Sequence, residues 1–519
     1  MQRTFLRQGI LTTAGPHGRV AGASAPLAAI LSGILLAFSF PHYGHAAVAW
    51  MALLPLLVAL CGERAFRRGF GLGLVTGLVH FAGTIYWLTP VMVSYGGLPW
   101  PAAGGAHGLL VAYMALFPAF FGAAMVVVLR RSGPRGLFAA PAVWVTTELG
   151  RIHLFGGFPW ELLGYSQAGV APVAQTASLA GVLGVSALVV LVNAAAAYAV
   201  LTPPRRWLPV AAAAAVLAAC VAFGTWRLRD ASLLAAGTPL RVAALQGNVA
   251  QDEKWDPRRS ETILAGYLEQ TRRAAAAGAT LIVWPEASTP FAFELDPRGE
   301  RIRAAARETG AHLLIGSTLI EPAPDYRYYN TAFLVDPSGA TAGVYRKQHL
   351  VPFGEYVPLS RSLFFVSPLV EGVAGFSAGS GPSTLPVAGR AVGTAICYEI
   401  IYPALVRGLV RAGSELLVTI TNDAWYGRSA APHQHFQQAS MRAVEQGRYL
   451  VRAANTGISG VFDPYGRALS RTALFEPAVV VGEVRLHDGL TLYGRIGDAP
   501  AYGGVAVTAL LLWAGRRRR

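Results

Sequence analysis

The chain has 519 residues, of which 53% are hydrophobic and only 14% are charged, against about 25% charged residues in an ordinary soluble protein. This composition excludes a single soluble globule. The net charge of +15 comes from arginines that are spread among loops and form no stripe interleaved with aromatic residues, which argues against a nucleic-acid partner. We attribute the charge to membrane topology and to contact with anionic lipid headgroups.

Long apolar runs fill the first part of the chain and return near its C-terminus. A helix that crosses a bilayer needs about 20 mostly apolar residues. The sequence predicts seven such spans, at residues 20–40, 45–61, 69–88, 102–129, 170–201, 207–226 and 499–514. A weaker segment at 136–149, fifth in chain order, contains Glu148. It is either a span whose polar residue faces protein, which brings the number of spans to eight, or a re-entrant piece.

The basic residues predict how these spans are oriented, because short cytoplasmic loops carry an excess of Lys and Arg. Arginines precede the first span and follow the second, fourth and sixth, at positions 3, 7, 19, 64, 67, 68, 130, 131, 135, 205 and 206. The basic tail at 516–519 falls on the same side only if the number of spans is even, which favours eight. We therefore expect both termini in the cytoplasm, the large polar segment outside it, and a first span that is retained rather than removed as a signal peptide.

The polar segment at 230–490 separates a membrane domain at 1–229 from a last span and basic tail at 491–519. Within it, short apolar runs alternate with helical stretches, which indicates an α/β domain. We predict strands at 240–245, 281–284, 312–316, 330–335, 343–345, 416–420 and 460–462, and helices at about 258–277 and 298–309. A further strand-like apolar run at 392–400 contains Cys397.

Three polar residues stand where predicted strands end, which is where α/β enzymes place their chemistry. Glu286 follows Val-Trp-Pro, Lys347 follows Val-Tyr-Arg, and Cys397 follows Thr-Ala-Ile. A carboxylate can accept the thiol proton, a thiolate can attack a carbonyl, and an ammonium can stabilise the resulting oxyanion. Taken singly, each has an ordinary structural explanation as a turn residue, a solvated loop charge or a core thiol.

The other two cysteines, Cys61 and Cys220, lie in apolar segments, where a cysteine usually packs as a small hydrophobe. Three cysteines at unrelated spacings do not form a disulfide framework or a zinc site. His433 and His435 form an HxH pair without an evident third ligand, so we interpret them as structural and predict no metal.

The strings around the three polar residues resemble the nitrilase superfamily, whose catalytic set is Glu, Lys and Cys. They are Trp-Pro-Glu-Ala-Ser at 284–288, Tyr-Arg-Lys-Gln-His-Leu-Val-Pro-Phe-Gly-Glu-Tyr-Val-Pro at 345–358, and Ile-Cys-Tyr-Glu at 396–399. With the flanking spans, the middle string is similar to one branch, the apolipoprotein N-acyltransferases of bacterial envelopes. Further similar strings stand at 158–160, 164–167, 246–248, 254–256, 421–425 and 434–436, so the resemblance covers nearly the whole chain.

This resemblance implies a nitrilase-like αββα sandwich held outside the cytoplasm by eight helices. It also implies acyl transfer in two steps, without a cofactor. Cys397 would take an acyl chain from a membrane phospholipid as a thioester. The α-amine of the diacylglyceryl-cysteine of an apolipoprotein would then receive that chain as an amide.

The resemblance also assigns roles to individual residues. Glu286 would be the general base, and Lys347 would hold the oxyanion together with the backbone N–H of Tyr398. Glu355 would position Lys347 or the incoming amine, while Tyr398 and Glu399 would shape the pocket beside the nucleophile.

Two tryptophans complete the set of candidate site residues. Trp255 and Trp425 would line or gate the entry of the acyl chain. Aromatic packing under a loop explains them equally well.

Two other functions fit parts of the sequence. A membrane-tethered amidase with the same three residues would release acyl groups to water, but a small soluble amide gives no reason for eight spans. A transporter or lipid-binding protein with an inactive nitrilase-like domain should lack one of the three residues and should carry ionisable residues along its spans. Here all three are present, and Glu148 is almost alone among the spans.

Substitution of the cysteines tests the choice of nucleophile. Cys397→Ser should abolish turnover, and Cys397→Ala should also prevent a covalent acyl-enzyme, detected by intact mass. Cys61→Ala and Cys220→Ala should be nearly silent, because packed thiols take no part in catalysis. An acylated species in Cys397→Ala would show that the nucleophile is another residue.

Overall fold

The computed structural model describes residues 17–203, 207–322, 326–357 and 375–514, with side chains from residue 24 onwards. Several features used above lie outside these ranges. They are the arginines at 3, 7, 205 and 206, the basic tail at 516–519, and the last proline of the string at 345–358.

Helices occupy all eight predicted apolar segments. In chain order they are α1 (His17–Ala37), α2 (Ala49–Ala52), α3 (Leu54–Gly62), α4 (Phe66–Thr84), α5 (Leu88–Ser94), α6 (Trp100–Ser132), α7 (Ala140–His153), α8 (Ala171–Ala174), α9 (Ala177–Leu201) and α10 (Leu208–Asp230), with α15 (Leu492–Ile496) and α16 (Ala499–Trp513) near the C-terminus. The weak fifth segment is the helix α7, in which Glu148 is buried and accepts a hydrogen bond from the Leu163 N–H at 2.7 Å.

Fewer of these helices are long and apolar enough to cross a bilayer than the eight that we predict. In the described part of the chain three qualify, within Trp100–Gly156, Ala177–Leu201 and Leu208–Leu234. A fourth is obtained if α4 and α5, which are bent by 53°, count as one span. The apolar helices at Ser24–Ala37, Ala46–Gly62 and Ala499–Trp513 are shorter, and the second of them is interrupted at Leu53, two residues before Pro55 in the first turn of α3.

The polar segment folds into two six-stranded sheets, counted over the described residues. The first has the order β12-β1-β2-β3-β4-β5 and the second β11-β10-β9-β8-β7-β6, with β1-β2-β3 and β7-β8-β9 parallel. The strands are β1 (Thr238–Gln246), β2 (Leu281–Val283), β3 (His312–Glu321), β4 (Arg327–Val335), β5 (Thr341–Arg346), β6 (Thr384–Val387), β7 (Arg390–Ile396), β8 (Leu416–Thr421), β9 (Leu450–Ala454), β10 (Gly460–Phe462), β11 (Ala468–Arg471) and β12 (Ala478–Leu486).

Four helices belong to these sheets: α11 (Ser260–Ala276), α12 (Gly299–Thr309), α13 (Pro403–Arg411) and α14 (Ala431–Gln446). The predicted strands and the two predicted helices are confirmed within a few residues. The sequence analysis missed β6, β9, β11 and β12, and also α13 and α14.

Side-chain alternation along the strands builds the layers. On β1, Val242 and Ala244 belong to the core between the two sheets, whereas Ala243 and Leu245 pack in a second core with α11 and α12. On the far side, Val406 of α13 and Ala443 of α14 cover the second sheet. The order helix, sheet, sheet, helix is the predicted αββα arrangement.

Helix α14 joins this sandwich to the apolar helices through buried polar side chains. Gln434 accepts hydrogen bonds from the indoles of Trp87 and Trp160 at 3.2 and 2.7 Å, and it donates to the Thr84 carbonyl at 3.1 Å. One turn further, Gln438 donates to Glu161 at 3.2 Å. Such bonds depend on geometry, so they fix the position of α14 relative to both parts.

Glycines let α4 and α6 approach closely. A Cβ atom at Gly69 would lie 2.6 Å from the Gly122 carbonyl oxygen, and one at Gly77 would lie 2.7 Å from the Ala115 Cα. A Cβ at Gly73 would overlap the Pro118 carbonyl oxygen. Small residues at four-residue spacing are a common way to bring apolar helices into backbone contact.

Substitutions in α4 test this contact. Gly73→Ala should lower the midpoint of thermal unfolding in detergent, because overpacking costs about 1–3 kcal/mol. Gly71→Ala is the matched control, since a Cβ at Gly71 would have no atom within 4 Å. The control should leave the midpoint unchanged or raise it, because Ala favours a helix over Gly by about 1 kcal/mol. Equal shifts for the two variants would contradict the close contact.

Candidate active site

The three predicted strand ends meet between the two sheets. Glu286 follows β2, Lys347 directly follows β5 in the same sheet, and Cys397 directly follows β7 in the other sheet. Lys347 Nζ lies 3.3 Å from Glu286 Oε1, and the charges of both residues act on the pKa of the Cys397 thiol. The structure therefore brings together three residues that are far apart in sequence.

Lys347 is held between two carboxylates. Its ammonium donates to Glu355 Oε1 at 3.0 Å as well as to Glu286 Oε1 at 3.3 Å. The amide of Asn330 donates to the same two oxygens, at 2.7 Å for Glu286 and 2.8 Å for Glu355. Lys347 is only 1% exposed, so these protein contacts alone fix the position of its Nζ atom.

Both carboxylate oxygens and the backbone carbonyl of Glu286 accept hydrogen bonds. Its second carboxylate oxygen accepts a hydrogen bond from the Asn422 backbone N–H at 2.9 Å, just after β8. Its backbone carbonyl accepts one from Lys254 Nζ at 3.1 Å. The carboxylate therefore has a defined orientation, as a general base requires.

Two acidic and two basic buried side chains determine the electrostatics of the site. They are Glu286, Glu355, Lys254 and Lys347. Burial tends to raise the pKa of Glu286, but Lys347 and Asn330 outweigh it and hold that pKa below its usual value. Burial tends to lower the pKa of Lys347, but the two carboxylates raise it above its usual value. Burial lowers the pKa of Lys254 to about 8. Two carboxylates thus balance two ammonium groups that are almost fully buried.

Cys397 begins a short 3₁₀ turn with the unusual backbone angle φ of 53°. For a residue other than glycine this conformation costs about 1–3 kcal/mol and persists only where the surroundings impose it. Burial and the neighbouring Glu286 raise the pKa of the Cys397 thiol, whereas Lys347 lowers it. The net shift is upward, so the resting thiol is protonated and needs a base when it reacts.

The chain is similar to known proteins over almost its whole length. Residues 32–195 match the family described as the apolipoprotein N-acyltransferase N-terminal domain, and residues 241–489 match the carbon-nitrogen hydrolase family. The chain is 43% identical over 505 residues to an apolipoprotein N-acyltransferase of Geobacter metallireducens, with 95% of each chain covered. It is 38% identical to that of Methylococcus capsulatus, with 95% of this chain and 97% of the relative covered.

The chain belongs to the apolipoprotein N-acyltransferase family. Among solved structures, a mutant amidase of the nitrilase superfamily from Nesterenkonia aligns with a TM-score of 0.39 at 23% identity, covering 52% of this chain and 98% of the amidase.

In this family member Glu399 connects the lysine and cysteine segments. Its Oε1 accepts hydrogen bonds from the backbone N–H groups of Gln348 and His349 at 2.6 and 3.1 Å. Its Oε2 accepts from the Ile396 N–H at 2.7 Å and from the Tyr345 hydroxyl at 3.0 Å. Glu399 therefore ties the end of β5 to the turn that carries Cys397.

Aromatic side chains surround the cysteine turn. The buried Tyr398 stacks on Phe158 at 6.2 Å between ring centroids and meets Tyr402 edge-on at 5.2 Å. Phe158 precedes α8 in the chain, so the apolar helices and the sandwich both contribute to this wall.

The two candidate tryptophans lie at the ends of segments that contact Glu286. Trp255 is 48% exposed and follows Lys254, whose ammonium binds the Glu286 carbonyl. Trp425 lies three residues after Asn422 and packs edge-on against Tyr95 at 5.0 Å. Their role in acyl-chain entry stays a prediction.

Sequence reasoning missed two side chains that donate hydrogen bonds to Glu286, one of which also donates to Glu355. Asn330 bridges Glu286 and Glu355, yet in the sequence it is only the first residue of a predicted strand. Lys254 contacts the Glu286 carbonyl from a loop before α11. The only available signal for Lys254 is its place in the string at 254–256.

The Glu399 contacts lead to a prediction. Glu399→Gln keeps the side-chain size but places an NH₂ group against at least one backbone N–H donor in either orientation. We expect a loss of about 1–3 kcal/mol in the free energy of unfolding, because a buried donor left without an acceptor costs about that much. Glu483→Gln, at an exposed position on β12, is the control and should change stability little. Thermal unfolding of the two variants makes the comparison, and equal stability would contradict the role of Glu399.

Proposed function

We propose that the protein transfers an acyl chain from a membrane phospholipid to the N-terminal α-amine of the diacylglyceryl-cysteine of apolipoproteins, which is the last step of lipoprotein maturation. The names of the relatives support the reaction. The observation that carries the proposal is the placement of the Cys397 turn near a buried Lys347 that two carboxylates hold in place.

The first step forms a thioester. Glu286 accepts the thiol proton while the Cys397 sulfur attacks the carbonyl carbon of the phospholipid ester. The tetrahedral intermediate collapses and the ester C–O bond breaks. The leaving alkoxide takes the proton from Glu286 and departs as the hydroxyl of a lysophospholipid.

The second step passes the acyl group to nitrogen. The neutral α-amine of the apolipoprotein attacks the thioester carbonyl, and Glu286 accepts a proton from the attacking nitrogen. The C–S bond breaks, and the thiolate recovers the proton from Glu286. Since the lysophospholipid leaves before the acceptor reacts, the kinetics should be ping-pong.

Lys347 is suited to hold the oxyanion in both steps. An ammonium group has three N–H donors. Two are directed at Glu286 and Glu355, which leaves one for the developing oxyanion. The backbone N–H of Tyr398 would supply the second donor. Oxyanion donors fixed in advance in a buried site are typically worth about 3 kcal/mol each.

Glu355 and the aromatic residues complete the proposed site. Glu355 would position Lys347, as the 3.0 Å contact suggests. Tyr398 and Glu399 would shape the pocket, and Trp255 and Trp425 would line or gate the entry of the acyl chain.

The proposed cellular setting is the bacterial inner membrane. We infer eight spans, a membrane domain at 1–229, a catalytic domain at 230–490 on the periplasmic side, and a last span with the tail at 491–519 in the cytoplasm. The alternation of basic loops supports this orientation. The apolar helices that pack beneath α14 would keep the catalytic site next to the bilayer that supplies one substrate and carries the other.

Stepwise addition of substrates tests the reaction. Detergent-purified protein given phospholipid should gain the mass of one acyl chain on the peptide that contains Cys397. Addition of a diacylglyceryl peptide should then remove that mass and yield N-acyl peptide. Release of free fatty acid alone would instead indicate a hydrolase, and the transferase proposal would fail.

The general base has its own variant. Glu286→Gln should slow acyl-enzyme formation by about 10²- to 10⁴-fold, because the amide cannot accept the thiol proton. Glu269→Gln, at an exposed position of α11, is the control and should leave the rate unchanged. Rapid quench followed by intact mass measures the rate. A rate near that of the unsubstituted protein for Glu286→Gln would assign the base to another group.

A further inference from the structure

The carbonyl group of Cys397 contacts a buried histidine that the proposed mechanism does not use. His435 Nε2, on α14, lies 3.2 Å from the Cys397 carbonyl oxygen. A carbonyl oxygen can only accept a hydrogen bond, so Nε2 donates whether the ring is neutral or protonated. The sequence analysis interpreted His435 as structural, and the contact gives it a specific task.

The other side of the imidazole ring is fixed as well. Asp423 Oδ1 lies 3.0 Å from His435 Nδ1 and accepts its proton in a hydrogen bond when the ring is protonated. In the neutral ring with its proton on Nε2, Nδ1 accepts a hydrogen bond from Arg452 instead. Asp423 Oδ1 accepts a further hydrogen bond from the Thr421 hydroxyl at 2.9 Å. Arg452 donates to Asp423 Oδ2 at 2.7 Å and lies 3.2 Å from His435 Nδ1. The ring of His435 and the side chains of Asp423 and Arg452 are fully buried. This network leaves the imidazole one orientation, with Nε2 directed at Cys397.

The peptide group links this contact to the chemistry. A peptide bond is planar and trans, so the Cys397 C=O and the Tyr398 N–H point in opposite directions. A donor that holds the carbonyl on one side therefore aims the N–H at the other side. Tyr398 is the second residue of the 3₁₀ turn, where a backbone N–H has no acceptor within the turn.

We propose that His435, oriented by Asp423 and Arg452, is a positioning residue that holds the Cys397 carbonyl and so directs the Tyr398 N–H at the oxyanion formed during acyl transfer. This inference rests on the proposed function, in which Tyr398 supplies that donor. The positive φ of Cys397 makes such support necessary, because a non-glycine residue rarely adopts it unaided.

Two reactions of the Cys397 thiol distinguish positioning of the Tyr398 N–H from a change in the reactivity of the sulfur itself. Attack on an acyl ester forms an oxyanion, whereas alkylation by iodoacetamide displaces iodide and forms none. A residue that positions an oxyanion donor should affect the first reaction and spare the second. A residue that positions the sulfur should affect both.

The experiment uses full-length protein with Cys61→Ala and Cys220→Ala, so that only Cys397 reacts. His435→Asn cannot reach the Cys397 carbonyl, whereas His435→Gln carries an N–H donor at the same number of bonds from the backbone as Nε2. His433→Asn is the matched control. The His433 ring packs against that of His42, with 4.7 Å between the ring centroids, and it has no part in the proposed mechanism. Rates of acylation by phospholipid, acylation by a p-nitrophenyl ester and alkylation by iodoacetamide are measured by intact mass.

We expect His435→Asn to slow acylation by roughly 10- to 100-fold. Complete loss of an oxyanion donor typically costs about 10²- to 10³-fold. The effect should be smaller here because the peptide group between Cys397 and Tyr398 keeps part of its orientation. Alkylation should change less than twofold. His435→Gln should recover much of the acylation rate, and His433→Asn should behave like the unsubstituted protein. If His435→Asn does not fold, Asp423→Asn removes the carboxylate beside the ring. Because the charge of Asp423 also raises the pKa of the Cys397 thiol, the ratio of the acylation rate to the alkylation rate is then compared, and this ratio should fall.

Two results would overturn the inference: acylation of His435→Asn at the unsubstituted rate, or an equal loss in acylation and alkylation. Failure of the proposed function has a different signature. In that case the unsubstituted protein would react with the p-nitrophenyl ester but not with phospholipid, and the ester would still report on His435.

Discussion

A lysine buried between two carboxylates is the constraint on which the site depends. Lys347 is nearly inaccessible to water, and an unpaired ammonium there would be strongly destabilising. Glu286 and Glu355 supply the compensating charge, and Asn330 holds their oxygens at the required spacing. The same arrangement holds the pKa of Glu286 below its usual value near a thiol whose pKa is raised, so the charge balance that permits burial also prepares the proposed base.

Two sheets are needed to assemble this cluster, because its members end strands of both. Glu286 and Lys347 come from the first sheet, whereas Cys397 comes from the second. The apolar core between the sheets fixes their separation, and Glu399 links the segments that follow β5 and precede Cys397. When the two sheets pack against each other, the residues of the site are therefore aligned at the same time.

Helix α14 extends this coupling to the apolar helices. One face of it covers the second sheet, and its glutamines bind indoles and a carboxylate that belong to the other part of the chain. His435 lies on the same helix and contacts the carbonyl of Cys397. For an enzyme proposed to draw both substrates from a bilayer, one helix thus connects the surroundings of the reactive thiol with the helices that would cross the membrane.

The sequence alone determined the α/β class, the strand ends at Glu286, Lys347 and Cys397, and the helical character of all eight apolar segments, because period and composition are local properties. Only the tertiary structure decided which polar side chains join the site. Asn330, Lys254 and His435 reach it from a strand, a loop and a helix whose packing no local pattern encodes. In the described part of the chain, the lengths and bends of the apolar helices leave three clear spans, or four if the bent pair α4 and α5 counts as one. Contacts between distant segments depend on how sheets and helices pack, and that packing is settled only when the whole core is buried.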